Sequence, residues 1–453
     1  MDHRRHFARR RRGRWCVGSD RLNRSQAMRA LVVAGCVGLA SCNAAPSATI
    51  ATAQDSASAV ELSEPAALQS ITTANSPDGN RLVSGRGNMP ADPITADLGE
   101  PARWVLAVPD GDTALWVVVA ESGAVSAFSV SQGRLDRRPV NLQALPSGTP
   151  PSAAVGPEGV LLLAPPPPTA SLLTNPIALS DGGLAFVAAD GSVVTVAREG
   201  NRTFDIDALP DASLVSDGGL IAVLTAPTDR YAHGVLGDTL EAGAVTVVDP
   251  SSQTVVQTIE FDSSVVEGVA PMWADVDGDG VSELLVTLSD SGGGARLAVI
   301  SESGQISAES DPMGVANRWR HQIAVGPLGP GGETEIVEVI TPHLGGIVTF
   351  RRMDGLHIPE VASLSGFTSH VLGSRNLDMA VVADADGDGQ PEVVLPTQDR
   401  NELAGLERSA EGVEVAWSVP LDAPIVSNLA AADVGGRLVV GLGTADGRLL
   451  VWE

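Results

Sequence analysis

Two segments of the sequence place carboxylates at a spacing that suits a hard cation. The segment from Trp273 reads W-A-D-V-D-G-D-G-V-S-E-L-L-V-T-L, and the segment from Val382 reads V-A-D-A-D-G-D-G-Q-P-E-V-V-L-P. Acids fall at positions 1, 3, 5 and 9 of one tight loop, with glycine at position 6 and a backbone carbonyl available at position 7. The predicted ligands are Asp275, Asp277, Asp279, Val281 and Glu283 in the first loop, and Asp384, Asp386, Asp388, Gln390 and Glu392 in the second.

These oxygen donors predict two calcium sites, one in each loop. Calcium binds six to eight oxygens at about 2.3–2.6 Å, whereas magnesium tolerates an irregular cage less well. The loops differ from an EF-hand, because position 12 is Val286 or Leu395 instead of Glu and an apolar run follows. Each loop is therefore predicted to join two β-strands. The alternative interpretation is an acidic turn that binds only water.

A second set of residues could bind a ligand from loops between strands. The stretch R-Y-A-H-G-V-L-G-D begins at Arg230, and T-P-H-L-G-G carries His343 at the corresponding place two repeats later. We predict a ligand-binding cluster of Arg230, Tyr231, His233, Asp238 and His343, because binding residues usually lie on loops held by a rigid scaffold. The alternative is a set of turn residues held by local hydrogen bonds.

No signature of a common catalytic centre accompanies these residues. The sequence has no G-x-S-x-G, no H-E-x-x-H, no G-x-x-x-x-G-K-[ST] and no paired cysteines. Two further histidines, His321 and His370, each precede a predicted inner strand. A pair of nucleophile and base therefore cannot be assigned from spacing.

The charge of the chain favours cations and disfavours nucleic acid as partners. The 453 residues have a net charge of −26 although the first 41 residues are rich in arginine. The rest of the chain is therefore even more acidic, and it repels phosphate backbones. We expect a monomer whose macromolecular ligand is an unidentified protein or polysaccharide.

Residues 1–41 are predicted to be a basic leader with a lipoprotein signal peptide. The apolar run Ala30–Ser41 is too short to span a bilayer and suits a signal sequence. Leu39-Ala40-Ser41-Cys42 resembles the lipobox of bacterial lipoproteins, which implies lipidation of Cys42, contact with the membrane through the lipid alone, and a place in the cell envelope. The expected location is the outer membrane, facing the periplasm or the exterior. The alternative is an ordinary cleaved signal or a buried segment.

The remaining chain divides into a predicted tether at residues 42–92 and a folded body at residues 93–453. The tether is rich in Ala, Ser, Thr, Pro and Gly and is predicted to be disordered, although Asn80–Val83 could pair with a sheet. In the body, apolar strands flank acidic or glycine turns near residues 110, 181, 217, 275, 327, 384 and 433. A period near 50 residues is typical of propeller blades.

We therefore predict an all-β fold, a seven-bladed β-propeller, with eight blades as the alternative because Val155–Ala164 resembles another copy. Ring closure is expected to pair the last strand with one near residues 85–105. One copy has the turn without its acids: Pro327, Gly329 and Gly331 stand where the acidic loops have aspartates, while Glu335 aligns with Glu283 and Glu392 of those loops.

The two acidic loops and their spacing resemble the FG-GAP/VCBS repeat family of calcium-looped β-propellers, which includes the integrin α-subunit head. The resemblance implies that the two sets of loop residues are calcium sites. It departs from the family where five of the seven turns lack the acids. The ending Ala445–Leu449 also resembles quinoprotein-type blades, but their tryptophan docking sequence is missing, and we interpret it as turn chemistry.

The predicted function is that of a calcium-stabilised, lipid-anchored binding or scaffold module for protein or polysaccharide. The alternative is a carbohydrate-active lyase or hydrolase whose central funnel holds the cluster around His233 and His343.

Overall fold

Strands separated by tight turns make up the regular structure of the chain. The computed structural model describes residues 68–165, 168–197, 200–231, 233–234, 236–237 and 239–453. Residues 1–67, including the predicted leader and Cys42, lie outside the described residues, as does Asp238. The described ranges contain strands and no helix, in line with a sequence whose apolar runs are short and cut by glycine. No helix long and apolar enough to cross a membrane occurs in them.

The strands are short and follow one another without large insertions. In the first part of the chain they are β1 (Gln69–Ile71), β2 (Leu82–Arg86), β3 (Ile94–Asp97), β4 (Ala102–Asp110), β5 (Thr113–Ala120), β6 (Val125–Ser131), β7 (Arg134–Arg138), β8 (Ser152–Gly156), β9 (Gly159–Leu163), β10 (Ile177–Ala178), β11 (Leu184–Val187), β12 (Val193–Ala197), β13 (Gly200–Phe204), β14 (Val215–Asp217), β15 (Leu220–Thr228), β16 (Glu241–Asp249) and β17 (Thr254–Glu260). In the second part they are β18 (Val265–Val266), β19 (Met272–Ala274), β20 (Glu283–Asp290), β21 (Gly294–Ile300), β22 (Ile306–Glu309), β23 (Arg320–Gly326), β24 (Glu335–Ile340), β25 (Ile347–Arg351), β26 (Glu360–Ser365), β27 (Val381–Asp384), β28 (Glu392–Pro396), β29 (Glu402–Ser409), β30 (Gly412–Pro420), β31 (Ala430–Val434), β32 (Arg437–Gly443) and β33 (Arg448–Trp452).

Antiparallel pairing groups these strands into a series of meanders, the blades of a β-propeller. The meanders in the described part of the chain are β4–β7, β8–β9, β10–β13, β14–β17, β19–β22, β23–β26, β27–β30 and β31–β33. β8 and β9 form a hairpin that pairs with β1 in a three-stranded sheet, at the place where the eight-blade alternative expected a further copy. That hairpin turns through Gly-Pro-Glu-Gly.

The last meander is completed by a strand from the start of the body. β3 pairs antiparallel with β33, with Ile94 opposite Val451 and Asp97 opposite Arg448. The prediction that a strand near residues 85–105 closes the ring is confirmed. Closure leaves no open sheet edge between the two ends of the chain. The last and first meanders pack tightly, since a Cβ on Gly441 would lie 2.4 Å from the Trp116 ring.

The predicted tether extends too far, because residues 68–92 belong to the ordered body. β1 pairs with β8, and β2 runs parallel to β27 with Leu82 opposite Val382. The expectation that Asn80–Val83 could pair with a sheet is thus confirmed. The sequence signal was weak because this segment has few apolar residues of its own. It is ordered by hydrogen bonds to strands far away in sequence.

The segment Thr72–Arg81 lies across the centre of the propeller and binds the first, innermost strands of several blades. The Asn75 amide donates to the Leu429 carbonyl at 3.2 Å, and the Asn80 amide donates to the Val325 carbonyl at 2.9 Å. Backbone carbonyls of the segment accept from backbone N–H groups at the inner edge of the ring: Pro77 from Ser216, Asp78 from Trp273, and Arg81 from Val382. The segment therefore ties inner strands of different blades together.

The meander topology defines two ends of the propeller. Turns between the first and second strands of each blade lie at one end, which carries both predicted calcium loops, and we call it the acidic-loop end. Turns between the second and third strands, and the connections from one blade to the next, lie at the opposite end. That end carries His233, His343 and His370, and we call it the histidine end.

Candidate functional sites

The first acidic loop folds around its own carboxylates. Asp275 accepts backbone N–H groups of Gly278 at 2.7 Å and Gly280 at 3.1 Å, so its side chain fixes the turn. Gly280 has a φ of 89°, a conformation that favours glycine. One oxygen each from Asp275, Asp277 and Asp279 lies within 4.8 Å of the other two. The loop therefore gathers three of its predicted ligands.

The second acidic loop gathers a different subset. One oxygen each from Asp384, Asp386 and Glu392 lies within 4.8 Å of the other two. Asp388 instead accepts the Gln390 N–H at 2.8 Å, and it lies outside this trio. The Arg86 guanidinium approaches Asp384 at 3.5 Å from β2. Glu283 is likewise outside the trio of the first loop, so each loop leaves one predicted carboxylate apart.

The trailing glutamates of both loops are buried, and no basic side chain of the described residues forms an ion pair with either of them. Glu283 accepts the Val276 N–H at 2.9 Å, and Glu392 accepts the Ala385 N–H at 2.7 Å. Burial raises the pKa of Glu283, and the neighbouring aspartates raise it further. Burial also raises the pKa of Glu392, to about 7, and the charge of Asp386 adds to the shift. A bound divalent cation would reverse both shifts, because it stabilises the ionised carboxylates.

In the equivalent turn that lacks the aspartates, arginines supply the counter-charge of the buried glutamate, Glu335. Glu335 is fully buried and forms ion pairs with Arg352 at 2.6 Å and Arg408 at 3.0 Å. Glu333 occupies part of the space above the turn and pairs with Arg352 at 3.4 Å. Two arginines thus neutralise Glu335, which is the role that a bound cation could have in the acidic loops.

The predicted ligand-binding cluster is brought together only in part. Tyr231 and His233 lie edge to face with ring centroids 5.9 Å apart, and the Tyr231 hydroxyl accepts the Asn317 N–H at 2.7 Å. His233 and His343 line one pocket of about 190 Å³. Arg230 instead donates to the Phe261 carbonyl at 2.6 Å, and it is not among the residues that line this pocket.

His233 is held by a buried acid that the sequence did not single out. Its Nδ1 lies 2.6 Å from a carboxylate oxygen of Glu267, which is 1% exposed. The second oxygen of Glu267 accepts the Ser289 hydroxyl. Glu267 lies in a connection between blades, and no sequence pattern marks it. The pair fixes the orientation of the His233 ring at the pocket.

Three further aromatic residues extend this cluster towards the centre. Trp319 lies 4.7 Å from His370 and 5.6 Å from His321, measured between ring centroids. His343 lies 4.4 Å from His370, with the two rings nearly perpendicular at 85°. His321 and His370 were noted only as residues before inner strands, since nothing in their spacing shows that distant connections converge.

Three histidines of this cluster, His321, His343 and His370, have lowered pKa values, which favours their neutral form. Burial lowers the pKa of His321 and His370 well below the ordinary value, and nearby positive charges lower it further. Burial also lowers the pKa of His343, and His233 adds a smaller effect. Neutral imidazole carries one nitrogen that donates and one that accepts a hydrogen bond or binds a metal.

The centre of the propeller offers little free space. A cavity of about 60 Å³ lies between the segment Thr72–Arg81 and the inner strands, with Trp319 and His321 in its wall. This volume holds no more than a few water molecules. The segment Thr72–Arg81 thus lies where the carbohydrate-active alternative expected an open central funnel.

Structural comparison relates the chain to solved β-propellers. A quinohemoprotein alcohol dehydrogenase from Comamonas testosteroni is 12% identical, with 84% of this chain and 80% of that chain covered and a TM-score of 0.50. The quinohemoprotein alcohol dehydrogenase ADHIIG from Pseudomonas putida HK5 is 11% identical, with coverages of 86% and 80% and a TM-score of 0.52. BamB from Moraxella catarrhalis is 11% identical, with coverages of 80% and 99% and a TM-score of 0.44.

No protein-family profile matches the sequence, and no curated protein matches it either. At these identities the structural likeness concerns the fold alone. The comparisons and the strand pairing together assign the chain to the β-propeller fold.

Proposed function

We propose that the protein is a calcium-stabilised, lipid-anchored β-propeller that serves as a binding or scaffold module in the cell envelope. The observation that carries the proposal is the filled centre. Thr72–Arg81 occupies the place where a propeller enzyme would need a funnel, and about 60 Å³ remains. Recognition of a protein or polysaccharide is therefore assigned to the outer surfaces and loops.

Calcium is proposed as the ion of the acidic loops. The three-carboxylate groups in each loop and the uncompensated burial of Glu283 and Glu392 support this assignment. A site with a dissociation constant of about 0.1 mM at roughly 1 mM calcium would add about 1.4 kcal/mol of stability per ion. The ions are proposed to be structural, because the acidic loops lie at the opposite end of the blades from the histidine end.

Attachment through Cys42 rests on the sequence. The lipobox-like Leu39–Cys42 and the preceding apolar run support a lipoprotein of the outer membrane. Two signals are usually needed for stable anchoring, and a mature lipoprotein cysteine supplies them as several acyl chains. Replacing Cys42 with Ser should release the protein from the membrane fraction. Continued sedimentation of this variant with membranes would contradict attachment through a lipid on Cys42.

The binding role is tested by photo-crosslinking in cells. A photoreactive amino acid is placed at Leu344 or Leu372, 69% and 64% exposed at the histidine end, or at Leu356, 74% exposed at the acidic-loop end. A scaffold predicts a discrete adduct from one end and none from the other. Absence of adducts at every position, together with turnover of an envelope polysaccharide by the purified protein, would support the carbohydrate-active alternative.

A further inference from the structure

Four of the five histidines in the described part of the chain converge at the histidine end. They are His233, His321, His343 and His370, and His357 lies apart from them on an exposed turn. His370 is the middle member, 4.4 Å from His343 and 5.3 Å from His321 between ring centroids. His233, His343 and His370 lie in three different connections between strands and His321 lies in β23, so the fold brings them together.

Two imidazole nitrogens in this group lack any partner among the described residues. The Nε2 atoms of His343 and His370 are both buried from solvent and form no hydrogen bond. His370 as a whole is only 2% exposed. Leaving a buried polar atom unsatisfied is unfavourable, and such atoms are uncommon in folded proteins. Two of them on adjacent perpendicular rings indicate a ligand that binds both.

Ser369 controls which nitrogens carry hydrogens. Its hydroxyl lies 2.8 Å from Nδ1 of His321 and 3.1 Å from Nδ1 of His370. The hydroxyl has one hydrogen, so it can donate to only one of these atoms and must accept an N–H from the other. At least one of the two rings therefore carries its hydrogen on Nδ1 and has a bare lone pair on Nε2, and metal binding at His370 requires that His370 is such a ring. This arrangement orients histidine ligands in many metal sites.

We propose that His343 and His370 bind a divalent late first-row transition-metal ion, of the class of Zn²⁺ and Cu²⁺, through their Nε2 atoms. Imidazole nitrogen suits these ions, whereas calcium and magnesium prefer oxygen. The site is distinct from the acidic loops, which lie at the other end of the blades, and it does not depend on the proposed scaffold role.

The site would leave coordination positions open. No group of three histidine, cysteine or carboxylate ligand atoms within 4.8 Å of one another is found here among the described residues. His343 also lines the pocket of about 190 Å³, whose rim is formed by the exposed Leu344 and Leu372. Water or a small ligand with a donor atom can enter there, and open positions are the feature that separates reactive metal sites from closed structural ones.

Calorimetric titration of the full chain with ZnCl₂ tests the proposal. The titration is run in excess Ca²⁺ to occupy the acidic loops, and in a background where His3 and His6, which lie outside the described residues, are changed to Gln. One equivalent of Zn²⁺ should bind. His343→Gln and His370→Gln should each lower the affinity by at least about tenfold, as should Ser369→Ala through loss of ring orientation. The matched control His357→Gln should bind as the background does.

Electron paramagnetic resonance of the Cu²⁺ complex supplies the second measurement. Hyperfine coupling to two imidazole nitrogens is expected in the background protein and to one in the His343→Gln variant. His343 is only partly buried, so this variant tests the site even where His370→Gln does not fold. Failure of the background protein to bind either ion, or binding that His343→Gln leaves unchanged, would overturn the proposal.

Discussion

The turn that ends at Glu335 and the two acidic loops each have a buried glutamate at the equivalent position. The counter-charge of that glutamate differs between them. Glu335 is fully buried between Arg352 and Arg408. Glu283 and Glu392 are 7% and 1% exposed, and within the described chain neither forms an ion pair with a basic residue. A buried carboxylate needs a counter-charge, a proton or an ion. The buried glutamate of this hairpin turn can therefore be neutralised by arginines or, as we propose, by calcium.

The largest effect is expected from breaking the arginine-completed corner. Arg408→Met removes one of the two charges that face Glu335, and the remaining Arg352 is partly exposed. Because Glu335 then keeps only the partly exposed Arg352 as a counter-charge, the free energy of unfolding should fall by about 3–4 kcal/mol, the lower part of the range for breaking a buried ion pair. Urea unfolding measures the loss. The same loss of stability should appear with calcium and with chelator. A loss that depends on calcium would contradict the view that arginines alone neutralise Glu335.

Chelation should act only on the aspartate-rich corners. Removing calcium with EGTA is expected to lower the free energy of unfolding by about 3 kcal/mol, the sum for two ions at the affinities assumed above. The double variant Asp275→Asn, Asp384→Asn should be insensitive to EGTA. An unchanged midpoint of thermal unfolding for the unaltered protein with and without calcium would contradict the proposed stabilisation by calcium.

Without calcium, the stability should depend on pH through Glu392. Its pKa is raised from an ordinary 4.5 to about 7 in the folded protein, chiefly by burial. The folded state therefore holds this proton more tightly than the unfolded state. Its contribution is full below about pH 4.5 and is lost as pH rises to about 7, on the order of 1–2 kcal/mol. Glu392→Gln, or added calcium, should flatten this part of the pH profile.

Restoring the aspartates to the third corner should have the smallest effect. The triple change Pro327→Asp, Gly329→Asp, Gly331→Asp recreates the acidic spacing, but Arg352 and Arg408 still neutralise Glu335. We expect no added calcium equivalent and a stability change within about 1 kcal/mol. Adding Arg408→Met to this variant should create calcium dependence, and a lack of it would show that the arginines are not what excludes the ion.

The sequence predicted the features that depend on local patterning. Repeated apolar runs around glycine turns indicated β-hairpins and a propeller, and the closing strand at Ile94–Asp97 followed from the same logic. The acidic loops were recognised because their ligands lie within nine residues of one another. The hairpin of β8 and β9 lies in the segment whose sequence indicates a possible eighth copy, and its turn, Gly-Pro-Glu-Gly, differs from the aspartate-rich turns.

Features set by long-range contacts were missed. The segment Thr72–Arg81 has little apolar pattern, and its order comes from partners such as Val325 and Leu429, more than 200 residues away. His321, His370 and Trp319 meet only because separate connections converge on one end of the ring. Arg230 has a binding-site residue type, but its position places it on backbone carbonyls. Such contacts depend on the closed ring, which spacing alone does not describe.

The most direct measurement is the number of calcium ions bound per chain, determined by isothermal titration calorimetry. We expect two ions for the unaltered protein, one for Asp275→Asn, one for Asp384→Asn and none for the double variant. Calcium binding that is absent from the unaltered protein, or that survives in the double variant, would contradict it.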